Sequence, residues 1–267
     1  MTSTNHRENG MTDHVRSETV GGVLTLTLNR PEKKNALTRL MYQALADAID
    51  RAAGDPLVRC ILLQAEGDAF SAGNDLGDFA AANRLAASGD APRPTNPLLT
   101  ALARATTPVV AAVQGRAVGI GTTMLLHCDL VFLSDDALLT TPFVNLALVP
   151  EAASSLLLPM RIGHARAFSM FVLGEAVDAA TAVAWGLANA VCSRPELRVR
   201  ARAAAEAIAV RPFSAVARTK TLMRDSAVLV ARMEAEGVHF AAQLASAEAR
   251  EAFAAFAEKR APDFTKR

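Results

Sequence analysis

FSAGNDL, Phe70 to Leu76, directly follows an apolar run, CILLQAEG (60–67), and a second stretch repeats the arrangement: VVAAVQGRAVGIGTTMLL (109–126). In each, a strand-like run rich in Val, Leu and Ile gives way to small residues and then to an apparent helix start. Small residues there bring the backbone close to a partner, and the first N–H groups of a helix have no intrahelical acceptor and carry the positive end of its dipole. Two such turns aimed at one oxygen make a pair of donors for charge developing on a carbonyl. Glycine turns after strands are common in α/β proteins, so the pair alone does not decide between catalysis and packing. VGIGTT lacks the third glycine of a dinucleotide-binding fingerprint, and the chain has no GxxxxGK[ST] phosphate loop.

Outward from these turns, VGGVLTLTLN (20–29) alternates with period two and reads as a strand, and RPEKKNAL (30–37) reads as a loop. Thr38 is placed to cap a helix running to about Ala53, with Leu40, Met41, Leu45 and Ile49 on one face and Gly54-Asp55-Pro56 ending it. Residues 77–97 carry three prolines and read as a partly helical, mobile loop. LLTALARAT (98–106) is a short helix, TTMLLHC (122–128) a buried one, and DLVFLSD, ALLTTPF and ANAVC short strands. From Pro150 onward the pattern is mainly helical. An α/β half therefore precedes a helical one, divided here as a disordered extension over 1–17, a core over 18–212 and a helical region over 213–267.

Composition narrows the function classes. The 267 residues are 51% apolar, with a net charge of +1 and one Trp and one Tyr. This suits a large buried core and gives no charge or stacking support to nucleic-acid binding. Cys60, Cys128 and Cys192 are scattered among apolar neighbours, as expected of buried free thiols in a reducing cytoplasm rather than disulfides or metal ligands. No apolar run reaches the roughly 18 residues of a membrane helix, and MTSTNHRENG lacks the apolar core of a signal peptide. Among the acids, Glu151 stands out, following Pro150 between two apolar stretches. Desolvation there raises a carboxyl pKa and suits it to proton transfer. Judged on its neighbours alone, a solvated glutamate in the first turn of a helix is the preferred alternative.

The combination resembles the crotonase superfamily, also called the enoyl-CoA hydratase/isomerase family. The resemblance is carried by NRPEKKNAL (29–37), AFSAGNDL (69–76), PVVAAVQGRAVGIGTTMLLHCDLVFLSDDA (108–137), LVPEAASSLLLPMRIG (148–163), AVAWGLANAV (182–191) and AFAEKRAPDF (255–264), in family order. It implies an α/β crotonase (ClpP/crotonase-like) fold, a superhelix of repeated ββα turns, with a C-terminal helical region that drives assembly into trimers or hexamers. It also implies an acyl-CoA thioester substrate, no separate cofactor and no metal; RNA binding, known for some family members, is not expected, because the helix at 38–53 sets Asp47 and Asp50 against Arg39 and Arg51, and no membrane partner is expected either. The oxyanion donors would be the backbone N–H groups of Asn74 and Ile120, with Gly73 and Gly119 letting the chain turn and Ala72 beside them. Asp75 and Leu76 would lie beside CoA. Lys33, Lys34, Ala36 and Leu37 would border its adenine and phosphates, although an ordinary solvated turn also explains the two lysines. Phe256 and Lys259 would close over CoA.

The archetypal hydratase of this family positions water with two glutamates, and the chain has Thr123 and Phe143 at the matching positions. Glu151 instead matches the single glutamate of Δ3,Δ2-enoyl-CoA isomerases, most closely the peroxisomal type through SGNDL and PFVNLALVPEAASS. The resemblance therefore favours an isomerase using Glu151, with Phe143, Leu146 and Leu148 keeping the pocket dry. Side chains around Phe143 and Met160, with the 77–97 loop, would set acyl length. The alternatives are a hydratase or related acyl-CoA lyase using Glu151 alone, and a non-catalytic acyl-CoA-binding member. His127 reads as a core-helix residue and His164 as a surface one.

Overall fold

The computed structural model of the chain describes residues 13–75, 77 and 96–265. The first twelve residues, Leu76 and most of the loop expected over 77–97 lie outside the described residues. The chain is ordered before residue 18, because strand β1 (Val15–Val20) forms a hairpin with β2 (Val23–Leu28). The run expected as one strand over 20–29 is thus split by Gly21 and Gly22, both at positive φ, where a two-residue turn favours glycine.

Six strands form the main sheet in the order β1-β2-β3-β4-β6-β9, with β3 at Cys60–Ala65, β4 at Val109–Val113, β6 at Leu130–Ser134 and β9 at Ala190–Cys192. Beyond the β1-β2 hairpin every pairing is parallel. This explains why these strands read as nearly continuous apolar runs, since both faces are covered. On one face, Ile61 and Leu63 join Met41, Leu45 and Ile49 of helix α1 (Arg39–Gly54) in the large core. On the other, Cys60 and Leu62 meet Ala201, Ala205 and Ala209 of a long helix over Arg194–Ala209, where alanines at helical spacing permit close approach to the sheet. Thr38 caps α1 by accepting from the Met41 N–H. Leu40, expected on the buried face of α1, is 71% exposed.

A second sheet leads into the second glycine turn. It orders β5 (Arg116–Val118), β7 (Leu138–Thr140) and β8 (Val177–Asp178), the last a two-residue strand that has no signal in the sequence. Among the described residues the remaining α-helices are α2 (Pro97–Arg104), α3 (Ile120–Thr123), α4 (Ser154–Ile162), α5 (His164–Phe168), α6 (Ala179–Trp185), α7 (Arg194–Ala209), α8 (Phe213–Met223), α9 (Ser226–Leu244) and α10 (Ala247–Glu258). TTMLLHC is therefore one turn of α3 continued by a 3-10 turn over Met124–His127. The three cysteines are buried and free, and burial pushes the thiols of Cys60 and Cys128 up to about 12, leaving them unreactive. Among the described residues no helix is long and apolar enough to cross a membrane.

Candidate active site

The two glycine turns lie backbone against backbone. Ser71 bridges Ala117 in parallel: its N–H donates to the Arg116 carbonyl at 3.1 Å, and the Val118 N–H donates to the Ser71 carbonyl at 2.9 Å. A Cβ at Gly73 would fall 2.9 Å from the Val118 carbonyl oxygen, and one at Gly121 would fall 2.9 Å from that of Ser71. Only glycine fits this approach, and Gly73 also holds φ +92°.

The loop over 30–37 grips the first turn from its other side. Ala72 N–H donates to Lys34 O, Leu37 N–H to Gly73 O, and Asp75 N–H to Leu37 O. Asn35, which the sequence reading passed over, organises this loop. Wholly buried, its side chain accepts from Arg30 N–H and donates to the carbonyls of Glu66 and Ala69, while the Ser71 hydroxyl donates to the Asn35 carbonyl.

This bonding consumes the neighbours of two donors and omits the donors themselves. Gly73 N–H goes to the Ser71 hydroxyl and Gly119 N–H to Thr140 O, while Thr122 and Thr123 both bond back to Gly119 O. The N–H groups of Asn74 and Ile120 have no acceptor among the described residues. Ile120 is the first residue of α3, where an N–H has no partner within the helix. The Asn74 side chain is otherwise engaged, its Oδ1 accepting from the Tyr42 hydroxyl at 2.5 Å.

Both donors border a cavity of about 360 Å3. Ala72, Gly73 and Gly119 line it beside them, Phe143, Leu146 and Leu148 form an apolar wall, and Phe240, Phe253 and Phe256 cover it from α9 and α10. Phe143 is held against Phe171 with ring centroids 6.0 Å apart. Of the residues expected to contact the substrate, Ala72, Gly73, Gly119, Phe143 and Phe256 thus border the cavity with the two donors.

Others do not. Leu37 is a core side chain, 1% exposed, so only its backbone reaches the turn. The Asp75 carboxylate is taken up by Arg30 at 2.7 Å. Lys34 pairs with Asp68 at 2.5 Å where both are well exposed, and Lys33 is exposed beside it. Ala36 supplies its carbonyl to Arg30. Lys259 caps the end of α10 in a left-handed conformation, outside the cavity, while its neighbour Arg260 borders it. Met160, expected to bear on acyl length, is 72% exposed on α4 and away from the cavity.

Glu151 lies three residues beyond Leu148 and is not itself among the residues bordering the cavity. It precedes α4 instead of opening it, because Ala152 and Ala153 adopt positive φ of 67° and 53° before the helix starts at Ser154. Its Oε1 is fully buried with no hydrogen-bond partner among the described residues. Burial, and then the charge of Glu236, push its carboxyl up to about 7. The solvated alternative does not hold for this side chain.

The turn that carries Glu151 is tied to the segment that begins with Ile120 through His127. The segment that begins with Ile120 ends at His127, whose Nε2–H donates to the Ala152 carbonyl at 2.7 Å, while Arg224 donates to the His127 carbonyl at 2.7 Å and to Nδ1. With Nδ1 accepting, the proton belongs on Nε2. Burial and the Arg224 charge push this imidazole down to about 3, so it is neutral. The expectation of a core histidine is met, but the residue also fixes one donor relative to the acid.

Residues 18–267 match the family model described as enoyl-CoA hydratase/isomerase. The chain is 33% identical over 264 residues to the 1,2-epoxyphenylacetyl-CoA isomerase of Escherichia coli K12, an alignment covering 96% of this chain and 99% of that protein. It is 39% identical over 178 residues to enoyl-CoA delta isomerase 2 of Rattus norvegicus, covering 64% of this chain and 44% of the rat protein. The crystal structure of an enoyl-CoA hydratase/isomerase from Pseudoalteromonas atlantica T6c superposes with a TM-score of 0.88 at 44% identity, covering 94% of this chain and all of the other.

Proposed function

The chain belongs to the enoyl-CoA hydratase/isomerase family, and from that premise we propose that it shifts the double bond of a 3-enoyl-CoA thioester to the trans-2 position. The observation that carries this is the buried, unpartnered Oε1 of Glu151, whose carboxyl is pushed up to about 7, so that one group both takes and returns a proton near neutrality. The thioester oxygen accepts from the N–H groups of Asn74 and Ile120. Glu151 removes a proton from C2, and the electron pair delocalises into a dienolate whose oxygen the two donors hold. The protonated Glu151 then delivers the same proton to C4, leaving the double bond between C2 and C3. Each donor of this kind contributes about 3 kcal/mol to lowering such a barrier.

Hydration by two glutamates has no support here, since Thr123 and Phe143 occupy the matching positions and the Phe143 ring is 6% exposed against Phe171. The rival reading is hydration by Glu151 alone. The buried Thr123 Oγ1 has no hydrogen-bond partner among the described residues and offers a polar contact to a water. Turnover of a 3-enoyl-CoA in deuterated water separates the two. A shuttling, shielded carboxyl returns part of the C2 protium to C4, so less than one deuterium enters C4 per turnover. Accumulation of a 3-hydroxyacyl-CoA instead contradicts the isomerase reading. Assembly into trimers is part of the proposal, supported by side chains such as Leu222, Met223 and Val238 on α8 and α9, which are 71% to 88% exposed in the single chain.

A further inference from the structure

We propose that Glu236 is a positioning residue of this site: its carboxylate reaches from α9 to the N–H groups of Ala153 and Ser155, holds the Glu151-Ala152-Ala153 turn in shape, and sets a negative charge beside the Glu151 carboxyl. This rests on Glu151 being the acid/base. Glu236 Oε2 accepts from Ala153 N–H at 2.6 Å and Oε1 from Ser155 N–H at 2.9 Å, across more than eighty residues of sequence.

The start of α4 explains why an acceptor is brought from elsewhere. The residue at the N-cap is Ala153, which has no side chain to accept from the first N–H groups, and no side-chain cap forms locally. A helix N-terminus without an acceptor favours a carboxylate, and a carboxylate that is 7% exposed requires hydrogen-bond donors. Ala152 and Ala153 also hold left-handed backbone that alanine disfavours, and such geometry persists only where its surroundings fix it from several directions. The turn is held from two sides. His127 donates to the Ala152 carbonyl, and Glu236 accepts from the N–H groups of Ala153 and Ser155.

The charges around the turn make the effect specific. Among the described residues, Glu236 is the charged group that acts on the Glu151 carboxyl, and it opposes ionisation. Burial pushes the Glu236 carboxyl above its ordinary range, and the Ser155 and Ala153 donors, then Arg232 one turn earlier on α9, oppose that rise. His127 is neutral, and Arg224 is engaged with it. Glu236 thereby does two things to the acid/base: it fixes where the carboxyl stands and delays the loss of its proton.

The test is the pH profile of kcat/KM for a 3-enoyl-CoA in wild type, Glu236→Gln and Glu236→Asp, with Glu151→Gln alongside. Glutamine keeps one carbonyl acceptor but removes the charge. The acid limb is expected to move down by about one pH unit, so that one unit below the wild-type midpoint the variant keeps about five times the wild-type share of its plateau. Aspartate keeps the charge farther back and loosens the clamp. Its limb is expected to move in the same direction by less, and its kcat to fall. A merely structural role would lower stability and leave the limb in place. An unmoved limb in a folded Glu236→Gln protein overturns the proposal. If that variant does not fold, a Glu236→Asp protein with wild-type limb and kcat overturns it. If Glu151→Gln keeps full activity, the underlying assignment of Glu151 fails instead.

Discussion

Glu151→Gln is expected to lower kcat for the proposed double-bond migration by about 10^3-fold, equivalent to about 4 kcal/mol of barrier, while acyl-CoA binding stays within a few-fold of wild type. The separation follows from where the two tasks are performed. The oxyanion donors and the apolar wall belong to Asn74, Ile120, Phe143 and Leu148, none of which the substitution touches. Glutamine has the shape of glutamate but cannot accept and return a proton, so the loss falls on the chemical step. Stability moves the other way. The folded-state pKa of Glu151 is raised, to about 7. Its contribution is therefore fully present below the unfolded carboxyl pKa and is lost as pH rises through about 7. The wild-type melting temperature should fall between pH 5 and pH 8 more steeply than that of Glu151→Gln, and the variant should be the more stable at pH 8. Single-turnover kinetics and thermal melts across pH measure both; an inactive variant that has also lost acyl-CoA binding would contradict the separation.

Gly73→Ala is expected to lower kcat/KM by about 10^2-fold or more, through displacement of one backbone donor. The added Cβ would lie 2.9 Å from the Val118 carbonyl oxygen, and the residue would have to hold φ +92°, which L side chains rarely adopt. The turn must move away from β5, and the Asn74 N–H moves with it. Asn74→Ala is the matched control. It removes the side chain bonded to Tyr42 but keeps the backbone donor, so its loss should stay below about tenfold. Equal losses in the two variants would show that the Asn74 side chain, and not its N–H, does the work.

The parts of the site that announce themselves in sequence are those built from neighbours in the chain. A run of Val, Leu and Ile that ends in small residues reports a buried parallel strand and a close backbone approach, and both glycine turns were legible on that basis. Glu151 was singled out by its apolar flanks, although local sequence favoured a solvated position and only the family pattern promoted it. The rest depends on contacts between distant residues. Glu236 sits in an amphipathic helix where a glutamate ordinarily faces water, and its partners are on α4. Asn35 resembles any loop asparagine until its hydrogen bonds are traced. Asp75 looked free to meet a ligand because Arg30, forty-five residues earlier, carries no local sign of pairing with it. Leu37 looked like a loop residue, yet its side chain belongs to the main core. The Gly21-Gly22 pair was a turn signal inside a run whose alternation suggested a single strand.

The most direct measurement follows the conjugated enoyl-thioester absorbance of trans-3-hexenoyl-CoA and, separately, of crotonyl-CoA in the presence of the purified protein. A single acid/base at Glu151 predicts a rise with the 3-enoyl substrate that Glu151→Gln abolishes, and little change with crotonyl-CoA. A fall with crotonyl-CoA and no rise with trans-3-hexenoyl-CoA would contradict it, making hydration the primary reaction of this site.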